Sequence, residues 1–291
     1  MLFRHISIVG IGLIGGSFAL AARRSRLAEL ITGVDSVDVL REACARGIID
    51  KPETSFGSGQ FCEADLIYLA APVGGILSFL RTRGKLLKPG AIVTDAGSTK
   101  RDICRVARET LPAAVHFVGG HLMAGSHNAG LDYADAELFR DAPYAVVTGD
   151  LTTESDLQMV EKLVSAIGAV PVRVTAAEHD RTVARMSHVP QLVATALACT
   201  AARRSNRDDL RLAGSGFSEM VRLGGSRWSV WEDICRTNAD EICRALDDVI
   251  GEMEAVRSSI SGGDFEGLGD AFEAANALVE TGGLRSNRKI S

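Results

Sequence analysis

The stretch VGGHLMAGSHNAG, from Val118 to Gly130, sets two histidines and a serine among four glycines. An ordinary helix or strand needs no such density of polar and conformationally free positions, so the segment is suited to gripping something. His121 follows FVGG at the end of an apolar run, and its neighbouring glycines keep bulk away from the ring. Histidine is the side chain that changes charge near neutral pH, so His121 is suited to take a proton from a reacting group.

A second motif says what would stand beside it. VGIGLIGGSFA places Gly10, Gly12 and Gly15 in a GxGxxG pattern between an apolar run and a helical one. Gly10 suits a tight turn, Gly12 lets backbone approach a pyrophosphate, and Gly15 lets the helix pack closely on the sheet. Leu13 and Ile14 open that helix, whose free N–H groups and partial positive charge favour an anion. Asp35 falls twenty residues after Gly15, at the end of ITGVD, where a carboxylate takes the ribose 2′-hydroxyl of NAD. A 2′-phosphate would meet that carboxylate unfavourably and no arginine follows it in DSVD, so NADP ranks second. Two further strand ends carry AAPV and DAGSTK. Ala71, Pro72 and Gly97 there present peptide groups, and Ser98 a hydroxyl, toward the nicotinamide half of the cofactor. Ser98 serves equally well as N-cap of a helix beginning near Lys100. A dehydrogenase acting on a carbinol needs a base for the hydroxyl proton, and His121 meets that need.

The elements that position these residues follow from the pattern of apolar runs. HISIVG, LITGVD, ADLIYLAAP and AIVTDAG alternate with helical segments near residues 13–24, 37–46 and 75–87. Such alternation builds a parallel sheet with crossover helices. HFVGG, YAVVTG and VPVRV supply later strands, with a helix over about 154–167 before the last. From about Ala176 the strand-like runs give way to long helical periodicity. The expected architecture is α/β: a Rossmann-type doubly wound parallel sheet over residues 1–175, then an all-helical domain over 176–291 for substrate binding and dimerisation. The segment 189–201 is apolar enough to suit a dimer interface, or burial within the subunit.

Composition bounds the partners. The chain has 291 residues, 46% hydrophobic and 24% charged, with a net charge of −5 spread without runs. Arginine-containing pieces such as AARRSNRD carry no interleaved aromatics, which argues against nucleic acid. No apolar run reaches the ~18 residues of a membrane span. The N-terminal apolar segment is cut by glycines and lacks a cleavage pattern, so it is expected to be folded structure rather than a signal peptide. The six cysteines form no CxxC pair and no metal-ligand spacing with histidine, which suits free thiols in the cytoplasm and no metal.

Five segments in order, GIGLIGGS, DAGSTK, GGHLMAGSHNAG followed by Leu138 and Phe139, HDRTVARMSHVPQ, and GSGFSEMVRLGGSRWSVWEDICRTN, resemble the successive motifs of the prephenate and arogenate dehydrogenases, the TyrA family of tyrosine biosynthesis. The resemblance covers roughly residues 5 to 280. It implies an NAD-dependent oxidative decarboxylation of a cyclohexadienyl substrate in a homodimer joined through the helical half. It also implies that Ser98 hydrogen-bonds the C4 hydroxyl and holds His121, and that Arg222 pairs with a substrate carboxylate. Ser187 and His188 would lie on the helix lining the site, with Pro190 kinking it, and Trp231 would wall the pocket. Ser126, His127 and Gln191 would contact substrate. Leu122 stands where the family has proline, His127 where an acid is common, and Gln191 where a second histidine often follows. The last two bear on substrate. Losing an acid at His127 removes a partner for the amino group of arogenate and favours prephenate, while 4-amino-4-deoxyprephenate would demand a similar geometry. A β-hydroxyacid dehydrogenase of similar layout would use a helical lysine, and beyond the first hundred residues only Lys162 and Lys289 occur. A non-catalytic NAD-binding regulator would have no use for His121, Ser98 and Arg222 together.

Overall fold

The computed structural model describes residues 1–54, 59–124, 129–149 and 152–282. Six strands, β1 (His5–Val9), β2 (Leu30–Val34), β3 (Lys51–Glu53), β4 (Leu66–Leu69), β5 (Ile92–Asp95) and β6 (His116–Val118), form one sheet in the order β3-β2-β1-β4-β5-β6. Every pairing is parallel. The crossovers include α1 (Leu13–Arg24), α2 (Val37–Ala45), α3 (Val73–Arg83) and α4 (Arg101–Thr110). Strand order reverses between β1 and β4, and the crevice at that point is where open α/β sheets bind ligands. The expected doubly wound sheet is thus observed.

Both faces of the sheet are covered, and the strand sequences show why. In β4, Leu66 and Tyr68 enter one hydrophobic cluster while Ile67 and Leu69 enter the other. Successive side chains point to opposite faces, so a strand buried on both sides must be apolar throughout. Phe18 of α1 stacks on Tyr68 with ring centroids 3.8 Å apart, which seats the helix that follows the glycine-rich loop.

The later strands make a separate sheet. β7 (Gly120–Leu122) pairs antiparallel with β8 (Pro143–Thr148), which pairs parallel with β9 (Val170–Thr175). His121 is therefore the middle residue of β7, opposite Ala145, in a strand of its own and not at the end of the strand containing HFV. The chain changes sheets at Gly119. At Gly120 a Cβ would stand 2.6 Å from the Asp95 carbonyl oxygen and 2.7 Å from Tyr144 Oη, so only glycine lets the two sheets approach here.

α5 (Glu154–Ala166) lies between β8 and β9, and helices follow: α6 (Ala176–Val183), α7 (Val189–Arg204), α8 (Arg207–Leu210), α9 (Ser215–Val221), α10 (Trp228–Thr237), α11 (Ala239–Gly262) and α12 (Phe265–Thr281). Between α6 and α7 the helix widens into a π turn, Ala184–His188, immediately before Pro190. Pro190 lies two residues beyond this turn within a continuous helical run, and the widened π turn before it accommodates its ring and missing N–H. Packing divides the chain into a unit Met1–Ile242, containing both sheets and the helices through α10, and a second from Cys243 onward, in which α11 continues and α12 follows. Among the described residues no helix is long and apolar enough to cross a membrane.

Candidate active site

The glycine-rich loop is shaped by what surrounds each glycine. Gly10 has φ +91°, and a Cβ there would stand 2.7 Å from the Ala70 carbonyl oxygen at the end of β4. A Cβ on Gly15 would overlap the Gly10 carbonyl oxygen. Gly12 is different, because nothing lies within 4 Å of a Cβ built there. Gly12 is the N-cap of α1, no side chain caps that helix, and its first turn holds no acid. The N–H groups at Leu13 and Ile14 thus open toward a space free of side chains, the cradle a pyrophosphate requires. Asp35, at the end of β2, accepts from Ile11 N at 2.7 Å and from its neighbour Ser36 N at 2.6 Å. Each carboxylate oxygen keeps a lone pair for a ribose hydroxyl while also pinning the loop. The residues present therefore fit a dinucleotide.

A line of hydrogen bonds runs through His121. Its Nδ1 lies 2.8 Å from Nε2 of His179, whose Nδ1 lies 2.8 Å from Asp180 Oδ1. Asp180 also accepts from the backbone N–H groups of Lys100 and Arg101, at 2.7 and 2.9 Å. Donor and acceptor roles follow from the acid end. An ionised carboxylate only accepts, so His179 carries its proton on Nδ1 and accepts at Nε2. His121 then donates from Nδ1 and keeps its lone pair on Nε2. Burial, aided by His179, Lys100 and His188, pushes the His121 pKa well below its usual value. Burial opposes the charged form of Asp180 too, but hydrogen bonds from His179 and from the Arg101 and Lys100 backbone win and hold it low. The result is an anchored carboxylate, an oriented relay histidine and a neutral base.

Asp180 also overturns the N-cap reading of Ser98. α4 receives no side-chain cap from its own N-terminal flank; its first N–H groups are satisfied by Asp180, 79 and 80 residues along the chain in α6. Ser98 is therefore not the N-cap. It lies partly exposed on the turn between β5 and α4.

Beneath the site Lys100 and Asp95 form a wholly buried ion pair. Lys100 Nζ donates to the Gly120 carbonyl at 2.7 Å, and Asp95 Oδ1 accepts from Gly120 N at 3.0 Å. Asp95 Oδ2 takes the N–H of Gly97 at 2.8 Å. Both charges are thus paired and hydrogen-bonded, as burial requires, and together they clamp the residue before His121.

α10 closes over these strand ends through three contacts. Asp233 accepts from Gly74 N at 2.7 Å, Thr237 Oγ1 lies 2.7 Å from Thr99 Oγ1, and the adjacent Asn238 donates to the Asp180 carbonyl at 2.8 Å. That seating brings Trp231 edge-on to His188, ring centroids 5.8 Å apart. Burial drops the His188 pKa to about 4, so it too is neutral. Pro72, at the N-cap of α3, and Ala71 before it stand at the end of β4 as expected.

Other expected residues lie on the helical segments that follow β9. Ser187 is on the exposed face of the π turn. Gln191 is buried, and its amide donates to the Leu223 carbonyl at 2.6 Å and accepts from Ser226 Oγ at 3.1 Å. It ties down the turn Arg222–Gly225, leaving Arg222 exposed on that turn. Ser126 and His127 lie outside the described residues. Asp95, Lys100, His179, Asp180 and Asn238 are missing from the sequence reading. The adjacent acid and base of HDRTVARMSHVPQ were a signal for two of them; burial of Lys100 left none.

Residues 18–173 match the family model described as prephenate dehydrogenase, nucleotide-binding domain, and residues 175–274 the one described as prephenate dehydrogenase, dimerization domain. The prephenate dehydrogenase of Bacillus subtilis (strain 168) is 34% identical over 274 residues, covering 93% of this chain and 74% of that protein. This chain belongs to the prephenate dehydrogenase family. Among solved family structures, the Aquifex aeolicus prephenate dehydrogenase in complex with hydroxyphenyl propionate and NAD+ superposes with TM-score 0.90 at 26% identity, covering 96% of this chain and 98% of that one. Synechocystis arogenate dehydrogenase superposes with TM-score 0.82 at 29% identity, covering 95% and 99%. In this family member the two matched models meet at the end of β9, where the three-strand sheet gives way to helices.

Proposed function

We infer that the protein is an NAD-dependent prephenate dehydrogenase, converting prephenate to 4-hydroxyphenylpyruvate. The observation that carries the reading is the line Asp180, His179, His121, which leaves a neutral histidine with its Nε2 lone pair free for a hydroxyl proton. Bound NAD would supply the hydride acceptor, held by Gly10, Gly12, Leu13, Ile14, Gly15 and Asp35 and by the backbone at Ala71, Pro72 and Gly97. His121 takes the proton of the C4 hydroxyl as the C4 hydride leaves. The O–H electron pair forms the carbonyl, and the bond from C1 to its carboxylate breaks to release CO2. Those electrons complete the aromatic ring, and the phenolate oxygen recovers the proton from His121. Ser98 hydrogen-bonds the C4 hydroxyl, Arg222 pairs with a carboxylate, and Ser187, His188 and Trp231 wall the ring, with Ser126 and His127 as further contacts. Gln191 acts by holding the Arg222 turn. Because its amide is spent on that turn, it does not discriminate a keto acid from an amino acid.

Residues 1–175 form the cofactor domain and 176–291 complete the substrate site and the homodimer. Along α7 only Val189, Gln191 and Ala194 are buried, although the helix is rich in apolar residues. On α12, Phe265, Phe272 and Val279 recur every seven residues and are exposed by 68%, 67% and 39%, a stripe suited to a partner helix. Six free cysteines suit an enzyme of the reducing cytoplasm.

The test is initial rates of reduced-cofactor formation with prephenate and arogenate, each against NAD and NADP. Prephenate with NAD should be fastest, and His121→Ala should lower turnover by about 100-fold or more. Preference for arogenate, or near-normal turnover in the variant, would reject the substrate or the base respectively.

A further inference from the structure

A cavity of about 740 Å³ opens beside the edge of the large sheet, between α4, β6, β8, the residues leading into α5 and the first turn of α6. Its volume lies within the ~300–1,000 Å³ of small-molecule sites. None of the described residues assigned to cofactor or substrate lines it. We propose that it is an effector site for a small carboxylate with an apolar body, separate from the active site and coupled to it.

The lining carries the ligand chemistry. The floor is apolar, with Leu111, Phe117 and Val147 and the thiol of Cys104, whose pKa burial pushes up to about 12, so it stays uncharged. The described lining residues include three arginines and neither Asp nor Glu. Arg101 is committed to Asp180, Asn238 and Asp240. Arg105 lies between Asp102 and Glu109 of its own helix. Arg108 has no ion pair among the described residues. A carboxylate on Arg108 would gain a charge-assisted bidentate contact while its body takes the floor from water. An apolar cation would meet the arginines unfavourably, and a small polar anion would leave the floor wet.

The coupling route is short. Gly119 lines the cavity, and a Cβ there would meet Cys104 Sγ and Val147 Cβ at 3.2 Å, so the wall is already close-packed. The next residue is Gly120, held by Lys100 and Asp95, and the next is His121. Arg101, on another wall, gives its backbone N–H to Asp180. An occupant therefore rests against Gly119 and Arg101, each one bond or one hydrogen bond from a support of the catalytic histidine.

The experiment is fluorine NMR on the full chain with 4-fluorobenzoate, and with 4-fluorobenzamide as the uncharged control. The acid should bind at least about tenfold more tightly than the amide, the worth of one charged contact. Arg108→Glu and Ala113→Trp, both at exposed positions of the rim, should each weaken the acid about tenfold while melting like the parent, whereas Arg222→Ala should leave its affinity unchanged. Bound 4-fluorobenzoate should alter the kcat of the parent and not that of Arg108→Glu. Loss of binding in Arg222→Ala with retention in Arg108→Glu would put the acid in the substrate site and overturn the proposal. Equal binding of acid and amide, or no binding by about 10 mM, would overturn it as well. Binding that leaves kcat untouched would overturn the coupling. Binding is read without any turnover, so its failure is distinct from a failure of the proposed reaction.

Discussion

At the scale of single residues, the site is governed by which nitrogen carries a proton. His121 is a useful base only while its Nε2 lone pair is free, and that state is imposed two hydrogen bonds away by Asp180. His179 has a second effect, since its proximity is one of the causes that lower the His121 pKa. His179→Ala should therefore do two things. Turnover should fall by about tenfold to a hundredfold, as for other lost supporting shells, and the acid limb of the kcat/KM profile should move to higher pH. A purely structural role would lower rates without moving the limb, so an unchanged pH profile would remove His179 from the relay. Such dependence was only half legible in the sequence. His121 announced itself through its glycine flanks, but Lys100 looked like a helix-start lysine, and nothing in DAGSTK says that its ammonium folds under the strand to Asp95 and Gly120. Long-range pairing is decided by the tertiary fold, not by neighbours in the chain.

At the scale of elements, the first half of the chain was readable because each strand is buried on both faces and each helix is punctuated by glycine, proline or charge. Ile67 and Leu69 facing one cluster, and Leu66 and Tyr68 the other, leave no polar alternation to confuse the reading. The three-residue β7 was not readable, since its existence depends on pairing with Tyr144 to Val146 more than twenty residues later. The cap of α4 was left open between two readings for the same reason: its acceptor comes from α6. The glycine-rich loop offers a separation of structural from ligand-binding roles. A side chain at Gly12 meets nothing, whereas one at Gly15 collides with backbone. Gly12→Val should keep the parent's melting temperature yet weaken NAD binding by about tenfold or more, because it fills the anion cradle. Gly15→Ala should cost about 1–3 kcal/mol of stability, as forced overpacking does. Thermal melts with and without NAD check both. A Gly12→Val protein that binds NAD normally would mean that the pyrophosphate does not approach there.

At the scale of the whole molecule, the neutral histidines that serve the chemistry carry a cost in acid. His121, His179 and His188 all have folded-state pKa values below the 6.5 of an unfolded histidine, with burial the leading cause for each and about 4 reached at His188. As pH falls below 6.5 the unfolded chain takes up protons on these rings while the native state does not. The unfolded state then binds more protons, so stability rises with pH through this window and falls on acidification, by up to about 1.4 kcal/mol per pH unit for each ring. Asp180 does not offset this. Its own pKa is lowered, so its contribution is present above 3.8 and is lost only at more acid pH. The urea midpoint should accordingly drop between pH 7.5 and pH 5.5 in the parent, and the drop should shrink when His188 is replaced by Gln, which cannot titrate. A midpoint that is flat over that range, or a drop that His188→Gln leaves unchanged, would show that these rings are not held neutral by the fold, and the base assigned to His121 would lose the environment that makes it one.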